Sequence, residues 1–359
     1  MNCDGEMNSE GEIREILART PNWVGDNIFA IPAVQRLKRE FPGARVTVLA
    51  AAGLAPLWEL AADVDEVIPF RPRGGFRDLK GKGKLIRRLR RRRFDLAVIF
   101  PRSFESALWI RLAGIPRRWG YGEEGRSFLL TRAARSEKGY RRTPRVDYYY
   151  RLLDGGSGED RAEPARMVIP PELRRRAREL LDESGIDPAA TPLAGLHPRA
   201  SYGPAKCWPP EKFARLARLL AAEKQAVSLL FGSEKERELL EGIAAEAGEG
   251  TVNLAGRTDL RLLAGLISLC RVFVANDSGP LHLAAALGVP AVGLYGSTDP
   301  EATGPRGERV RVIYRGEECA PCLKRVCPGD FSCMEKITPG EVMAAVGELW
   351  PADRAGGGE

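Results

Sequence analysis

The chain of 359 residues is 44% apolar and 29% charged, a composition of folded globular proteins that excludes an intrinsically disordered one. It is long enough for two domains of roughly 150 residues each, and no stretch approaches the ~18 apolar residues of a membrane span. The formal net charge of +7 is local: residues 71–93 carry twelve Lys/Arg against one Asp, a local +11 that leaves −4 for the rest.

The opening residues, MNCDGEMNSEGE, are polar and acidic. They have neither the basic start nor the apolar stretch of a secretory signal, so a cytoplasmic location is expected. There, the seven cysteines argue against a disulfide framework. Strand-like apolar runs follow at 15–19 (EILAR), 45–50 (RVTVLA), 65–70 (DEVIPF) and 95–101 (DLAVIFP). Between the first two, TPNWVGDNIFAIP (20–32) opens a helical pattern over 26–41, and Pro32 predicts a kink or a late start. Gly25 permits a tight turn. Asp26 reads either as an N-cap or as a carboxylate at the strand's carboxyl end acting as general base. DVD (63–65) spells a metal-binding diacid, but it precedes a strand and is not expected to hold metal.

The basic run at 71–93 reads as a solvated helix face or as a dock for an anionic membrane or a phosphorylated acceptor. Arg87, Arg88, Arg90 and Arg91, with Arg102 after the next strand, are the docking candidates. Nucleic acid is not expected, because no RNP-type aromatic pattern, zinc-finger spacing or helix-turn-helix accompanies the run. GYGEEG (120–125) imitates a dinucleotide fingerprint without its helix or its distal acid. The Gly-, Pro- and charge-rich stretch 153–172 reads as a linker.

The second half repeats the plan, with strands at 193–198, 225–232, 251–256, 271–276 and 291–296 and helices at 210–224, 234–247, 259–270 and 280–288. HPRASYGPAKCWPPEKFARLA (197–217) joins the first strand to the first helix. Its Ser201 and Lys206 either meet a phosphate together with backbone N–H groups or belong to a proline-broken surface loop. In NDSGPLHLAAALGVP (276–290), Asp277, Ser278 and His282 supply the residue types of a hydrolytic triad. Neighbours on one turn do not converge as nucleophile, base and orienter, and no G-x-S-x-G elbow surrounds Ser278. Asp277, Ser278 and Gly279 form a strand-to-helix turn with Pro280 at the first helical position, which suits an anion cradle with His282 beside it. A plain capping turn with a core histidine is the alternative. CAPCLKRVCPGDFSC then places Cys319, Cys322, Cys327 and Cys333 within fifteen residues. That spacing suits a structural zinc or iron–sulfur cluster, with disulfides or unligated thiols as alternatives.

Alternating strands and helices imply an α/β protein with two Rossmann-like doubly wound domains, 13–160 and 171–338, facing an interdomain cleft. A final helix at 339–351 is expected to pack back on the N-terminal domain.

Taken in order, PNWVGDNIFAIPA, PRSFESALWIRLAGIPRRWGY, YGPAKCWP, LLFGSEKE and NDSGPLHLAAALGVPAVGLYGSTDP resemble the ADP-heptose:lipopolysaccharide heptosyltransferases, glycosyltransferase family nine, nearest the heptosyltransferase II branch. The resemblance covers nearly the whole chain. It implies a GT-B fold with the donor mainly on the C-terminal domain. It also implies inverting transfer of L-glycero-D-manno-heptose from ADP-heptose to the lipopolysaccharide inner core, with no cofactor required for catalysis. By resemblance Asp26 is the general base, Lys206 neutralises the leaving diphosphate with Ser201 in its loop, and Glu236 contacts the ribose. Asp277, Ser278, Gly279 and His282 form the donor-binding turn. The expected site is then the cytoplasmic face of the inner membrane, touched peripherally through the basic run. The alternatives are a heptosyltransferase I or III, another GT-B sugar transferase, or a non-enzymatic nucleotide-sugar or lipopolysaccharide binder.

Overall fold

A computed structural model describes residues 12–71, 78–137, 139–157 and 161–351. The opening residues, part of the basic run (72–77) and part of the linker (158–160) lie outside the described residues. The first sheet contains β1 (Glu15–Arg19), β2 (Arg45–Ala51), β3 (Glu66–Phe70), β4 (Leu96–Ile99), β5 (Arg117–Tyr121) and β6 (Arg132–Ala134). The second contains β7 (Leu193–His197), β8 (Val227–Leu230), β9 (Thr251–Asn253), β10 (Val272–Asn276), β11 (Ala291–Tyr295) and β12 (Val310–Tyr314). Their orders, β3-β2-β1-β4-β5-β6 and β12-β11-β10-β7-β8-β9, describe the same doubly wound pattern, and all pairings are parallel. Helices cover both faces of such sheets, so central strands are apolar throughout: every residue of β4 and β10 is buried.

β5, β6 and β12 are absent from the sequence expectations. They are RRWGY, RAA and VRVIY, lying towards or at sheet edges with partly exposed arginines, where charge protects an edge but erases the apolar run. GYGEEG begins inside β5 and leads into the 3-10 turn Ser127–Leu129. Both acids of DVD are engaged structurally: Asp63 pairs with Arg166, and Asp65 accepts from Val46 N and Lys38.

The helix Val24–Glu40 runs through Pro32 and begins earlier than the sequence suggests. It lies against the helix Gly279–Ala286 of the second domain. One apolar cluster joins Ile28, Leu57 and Leu60 of the first domain to Leu173, Leu263 and Leu283 of the second. Arg306–Asp147 and Arg261–Glu59, both at 3.1 Å, add ion pairs across the boundary.

The final helix, Pro339–Leu349, differs from expectation. It packs on the C-terminal domain, not on the N-terminal one. Its buried stripe of Val342, Met343, Val346 and Leu349 shares a cluster with Trp208, Phe213 and Leu294, and burying that stripe close by leaves it no apolar face for the other domain.

Candidate functional site

Ligands of doubly wound sheets bind beyond the carboxyl ends of the strands, at the switch point. Here those are the ends of β1 and β4 in one domain and of β7 and β10 in the other, and the turns after β1 and β10 touch. A Cβ added to Gly25 would lie 3.2 Å from the His282 ring, and one added to Gly279 would lie 2.6 Å from Val24 Cγ1. Neither glycine has a positive φ. Their small size, not backbone freedom, lets the two turns meet.

Asp26 is not the N-cap. Trp23 holds that position without a side-chain bond, and Asp26 sits in the first helical turn. Its Oδ1 accepts from the hydroxyls of Tyr149 at 3.0 Å and Tyr140 at 3.2 Å. Burial first, then the charge of Asp26, raises both phenol pKa values, so both remain donors.

On the other side, Lys206 closes the 3-10 turn Pro204–Lys206. Its ammonium pairs with Asp277, which follows β10. The loop is held by buried Asn276, whose side chain accepts from Trp208 N at 2.9 Å and donates to Pro198 O at 2.8 Å. Asp277 is 5% exposed. Its carboxylate also accepts from Thr298 at 2.7 Å, Tyr295 at 3.3 Å and Thr303 at 3.3 Å, and lies 3.5 Å from His282 Nε2. Burial alone would raise its pKa, but His282 and Lys206 outweigh burial and hold the carboxyl well below the usual carboxylate range.

His282 is 4% exposed and packs on Phe29 of the first domain, ring centroids 4.5 Å apart. Ser278 is the N-cap of the helix Gly279–Ala286 without a side-chain cap bond, and its Oγ meets Nδ1 of His197, not His282, at 3.2 Å. The serine and the aspartate therefore face different histidines. Burial lowers the His197 pKa to about 4, so its ring is neutral at physiological pH.

Not every candidate joins this cluster. Ser201 is exposed in the Lys206 loop and has no hydrogen bond to Lys206 or Asp277. Glu236 forms a capping box with Ser233, accepting from its N at 2.7 Å, and lies 3.8 Å from Arg199. Arg87, Arg88 and Arg91 line an open groove of about 390 Å³ with Lys84 and Arg92 on the helix Leu79–Arg92, whereas Arg90 donates to Leu112 O at 2.6 Å. Arg102 stands apart from that helix, paired with Glu123 at 3.0 Å and lying 4.1 Å from the Tyr140 ring centroid.

The metal expectation for the cysteines is not supported. Cys319, Cys322, Cys327 and Cys333 are free thiols that range from exposed to buried. Burial, then the nearby charges of Cys319, Cys327 and Cys322, pushes Cys333 up to about 11. Even so, among the described residues no group of three or more His, Cys, Asp or Glu side chains is placed to hold a metal ion. The segment braces the Lys206 loop through hydrogen bonds: Ala205 N to Arg325 O at 3.1 Å, Tyr202 Oη to Leu323 O at 2.7 Å and Arg325 Nε to Tyr202 O at 2.8 Å.

Sequence reasoning missed Tyr140, Tyr149, His197 and Asn276. The run Tyr148–Tyr150 was a visible signal for one of them, since consecutive aromatics on a short helix cannot all face solvent.

Residues 82–331 match the model of glycosyltransferase family 9 (heptosyltransferase). The lipopolysaccharide heptosyltransferase 2 of Salmonella typhimurium is 34% identical over 305 residues, covering 83% of this chain and 87% of that protein. The lipooligosaccharide heptosyltransferase 2 of Haemophilus influenzae is 31% identical, covering 93% and 99%. The structure of the E. coli ADP-heptose lipopolysaccharide heptosyltransferase II superposes with a TM-score of 0.79 at 30% identity, covering 94% of this chain and 98% of that one. Two parallel doubly wound sheets, the meeting of their turns and these likenesses agree: the chain belongs to glycosyltransferase family 9, the heptosyltransferases.

Proposed function

We propose that this glycosyltransferase moves L-glycero-D-manno-heptose from ADP-heptose to a heptose of the lipopolysaccharide inner core, with inversion at the anomeric carbon. The observation that carries this reading is the direct contact of the Asp26 turn with the Asp277–His282 turn, with Lys206 held on the donor side. In this mechanism Asp26 takes the proton of the acceptor hydroxyl as that oxygen attacks the anomeric carbon in line. The bond from that carbon to the diphosphate oxygen breaks, and the electron pair leaves with ADP. Lys206 and the N–H groups that open the helix Gly279–Ala286 meet the developing charge, and this stabilisation requires no divalent metal. Asp277 presents Lys206 to the cleft, and Glu236 contacts the ribose.

The helix Leu79–Arg92 is proposed as the contact with the anionic inner-membrane surface that carries the acceptor, at its cytoplasmic face. Among the described residues no carboxylate pairs with Arg87, Arg88, Arg90 or Arg91. No helix among them is long and apolar enough to cross a membrane.

The test is transfer from radiolabelled ADP-heptose to lipopolysaccharide acceptors carrying zero, one or two heptoses, with and without EDTA. Labelling of the one-heptose acceptor, undiminished by EDTA, is expected. Asp26→Ala abolishes transfer while ADP-heptose still binds, and Lys206→Ala lowers kcat by at least ~10²-fold, the cost of one lost electrostatic stabiliser. Full turnover by Asp26→Ala removes the general-base assignment, and dependence on Mg²⁺ contradicts the leaving-group assignment.

A further inference from the structure

Two phenols converge on one oxygen of Asp26 from the far end of the N-terminal domain, 114 and 123 positions away. Among the described residues nothing bonds the other oxygen, Oδ2. Tyr149 is 3% exposed and sits edge-on to Phe100, ring centroids 5.8 Å apart, and edge-on to Tyr148 at 5.7 Å. Tyr140 is half-buried and held by cations. The guanidinium of Arg145 lies 3.5 Å and that of Arg102 4.1 Å from its ring centroid, and two planar groups so close must occupy opposite faces. Arg102 is fixed in turn by Glu123, which also accepts from Tyr148 at 3.0 Å. The helix Arg145–Arg151 that supplies Tyr149 packs along the helix Val24–Glu40 that supplies Asp26. A half-buried carboxylate on a helix's first turn would otherwise rotate between solvent and the helix N-terminus.

We propose that Tyr149 and Tyr140 are positioning residues for transfer: by both donating to Oδ1 they lock the Asp26 carboxylate so that Oδ2 is the oxygen left to accept the acceptor's proton. This rests on the general-base reading of Asp26. The cation pair around Tyr140 makes its phenol a better donor by withdrawing charge from the ring, and the burial of Tyr149 fixes the position of the second donor. In this role the tyrosines act through the carboxylate.

The test compares wild type, Tyr149→Phe, Tyr140→Phe and the double variant in ADP-heptose transfer, with ADP affinity and thermal melting measured alongside. Phenylalanine keeps the ring packing and removes only the donor. Each single change is expected to lower kcat by about 10-fold and the double change by about 10²-fold, the scale of misplacing a reacting group. The donor KM, the ADP Kd and the melting temperature should stay within about two-fold or a few degrees of wild type. Wild-type kcat in all three variants would overturn the inference and leave the general base standing. A raised donor KM with unchanged kcat would also overturn it, since the tyrosines would then serve binding. Absence of transfer by the wild type would overturn the functional reading and this inference together.

Discussion

Asp277 and His197 show how a site is held by groups that do no chemistry. The Asp277 carboxylate is enclosed by Lys206, His282, Tyr295, Thr298 and Thr303, so it is a fixed acceptor that cannot serve as a base at neutral pH. His197 is the reverse case, a ring that burial keeps neutral with a pKa lowered to about 4. The unfolded chain's histidine protonates near pH 6.5, so between about 6.5 and about 4 the unfolded state binds the additional proton. Stability contributed by neutral His197 is therefore complete above that window and falls as pH drops through it, by at most about 1.4 kcal/mol per pH unit. Melting temperatures should decline from pH 7 to pH 5, and His197→Gln should flatten that decline. An unchanged slope would place the titration elsewhere. His197 was visible in the sequence as one of two histidines, but its pairing with Ser278 across 81 positions was not.

At the scale of elements, the helix Leu79–Arg92 illustrates how composition and geometry combine. Asp78 caps it by accepting from Gly81 N at 2.9 Å, Leu89 is fully buried, and the three arginines of the last turn complement the helix dipole. Arg92 lines the groove while tied to Glu66, whereas Arg87, Arg88 and Arg91 line it with no carboxylate partner among the described residues. Nearby, Phe104 and Phe128 are 41% and 69% exposed with ring centroids 6.0 Å apart, and the helix Phe104–Leu112 that carries Phe104 packs beside this one. Reversing Arg87, Arg88 and Arg91 to Glu should abolish salt-sensitive sedimentation with vesicles containing anionic lipid, since each basic residue near such a surface contributes about 1 kcal/mol. Equal binding to purely zwitterionic vesicles by the wild type would sink the membrane reading. The charge run was fully legible in the sequence. The distinction between Arg90, Arg102 and the groove arginines was not, because it depends on neighbours from Glu66, Leu112 and Glu123.

At the scale of the whole molecule, the site exists only because the domains meet. The shared apolar cluster around Ile28, Leu60 and Leu283 brings the two turns together, and the steric tolerance at their contact is small. Gly279→Ala places a methyl 2.6 Å from Val24 Cγ1 and 2.8 Å from its Cβ, so it should wedge the contact and lower transfer several-fold, with an increase in radius of gyration by solution scattering. Adding Val24→Gly should restore both. Loss of activity that the second change fails to rescue would show that the contact is not what Gly279 serves.

Period, turn residues and the alternation of strand with helix are local signals, so the sequence by itself determined two doubly wound domains and the chain positions of the turns that carry Asp26, Lys206 and Asp277. Only the tertiary structure decided what those side chains bond to. The two phenols on Asp26, the Ser278–His197 pair, the hydrogen-bonded cysteine segment over the Lys206 loop and the return of the last helix to its own domain all join residues distant in sequence. Such partners are chosen by which apolar faces pack and which buried donors and acceptors must then be satisfied, and no periodicity records that choice.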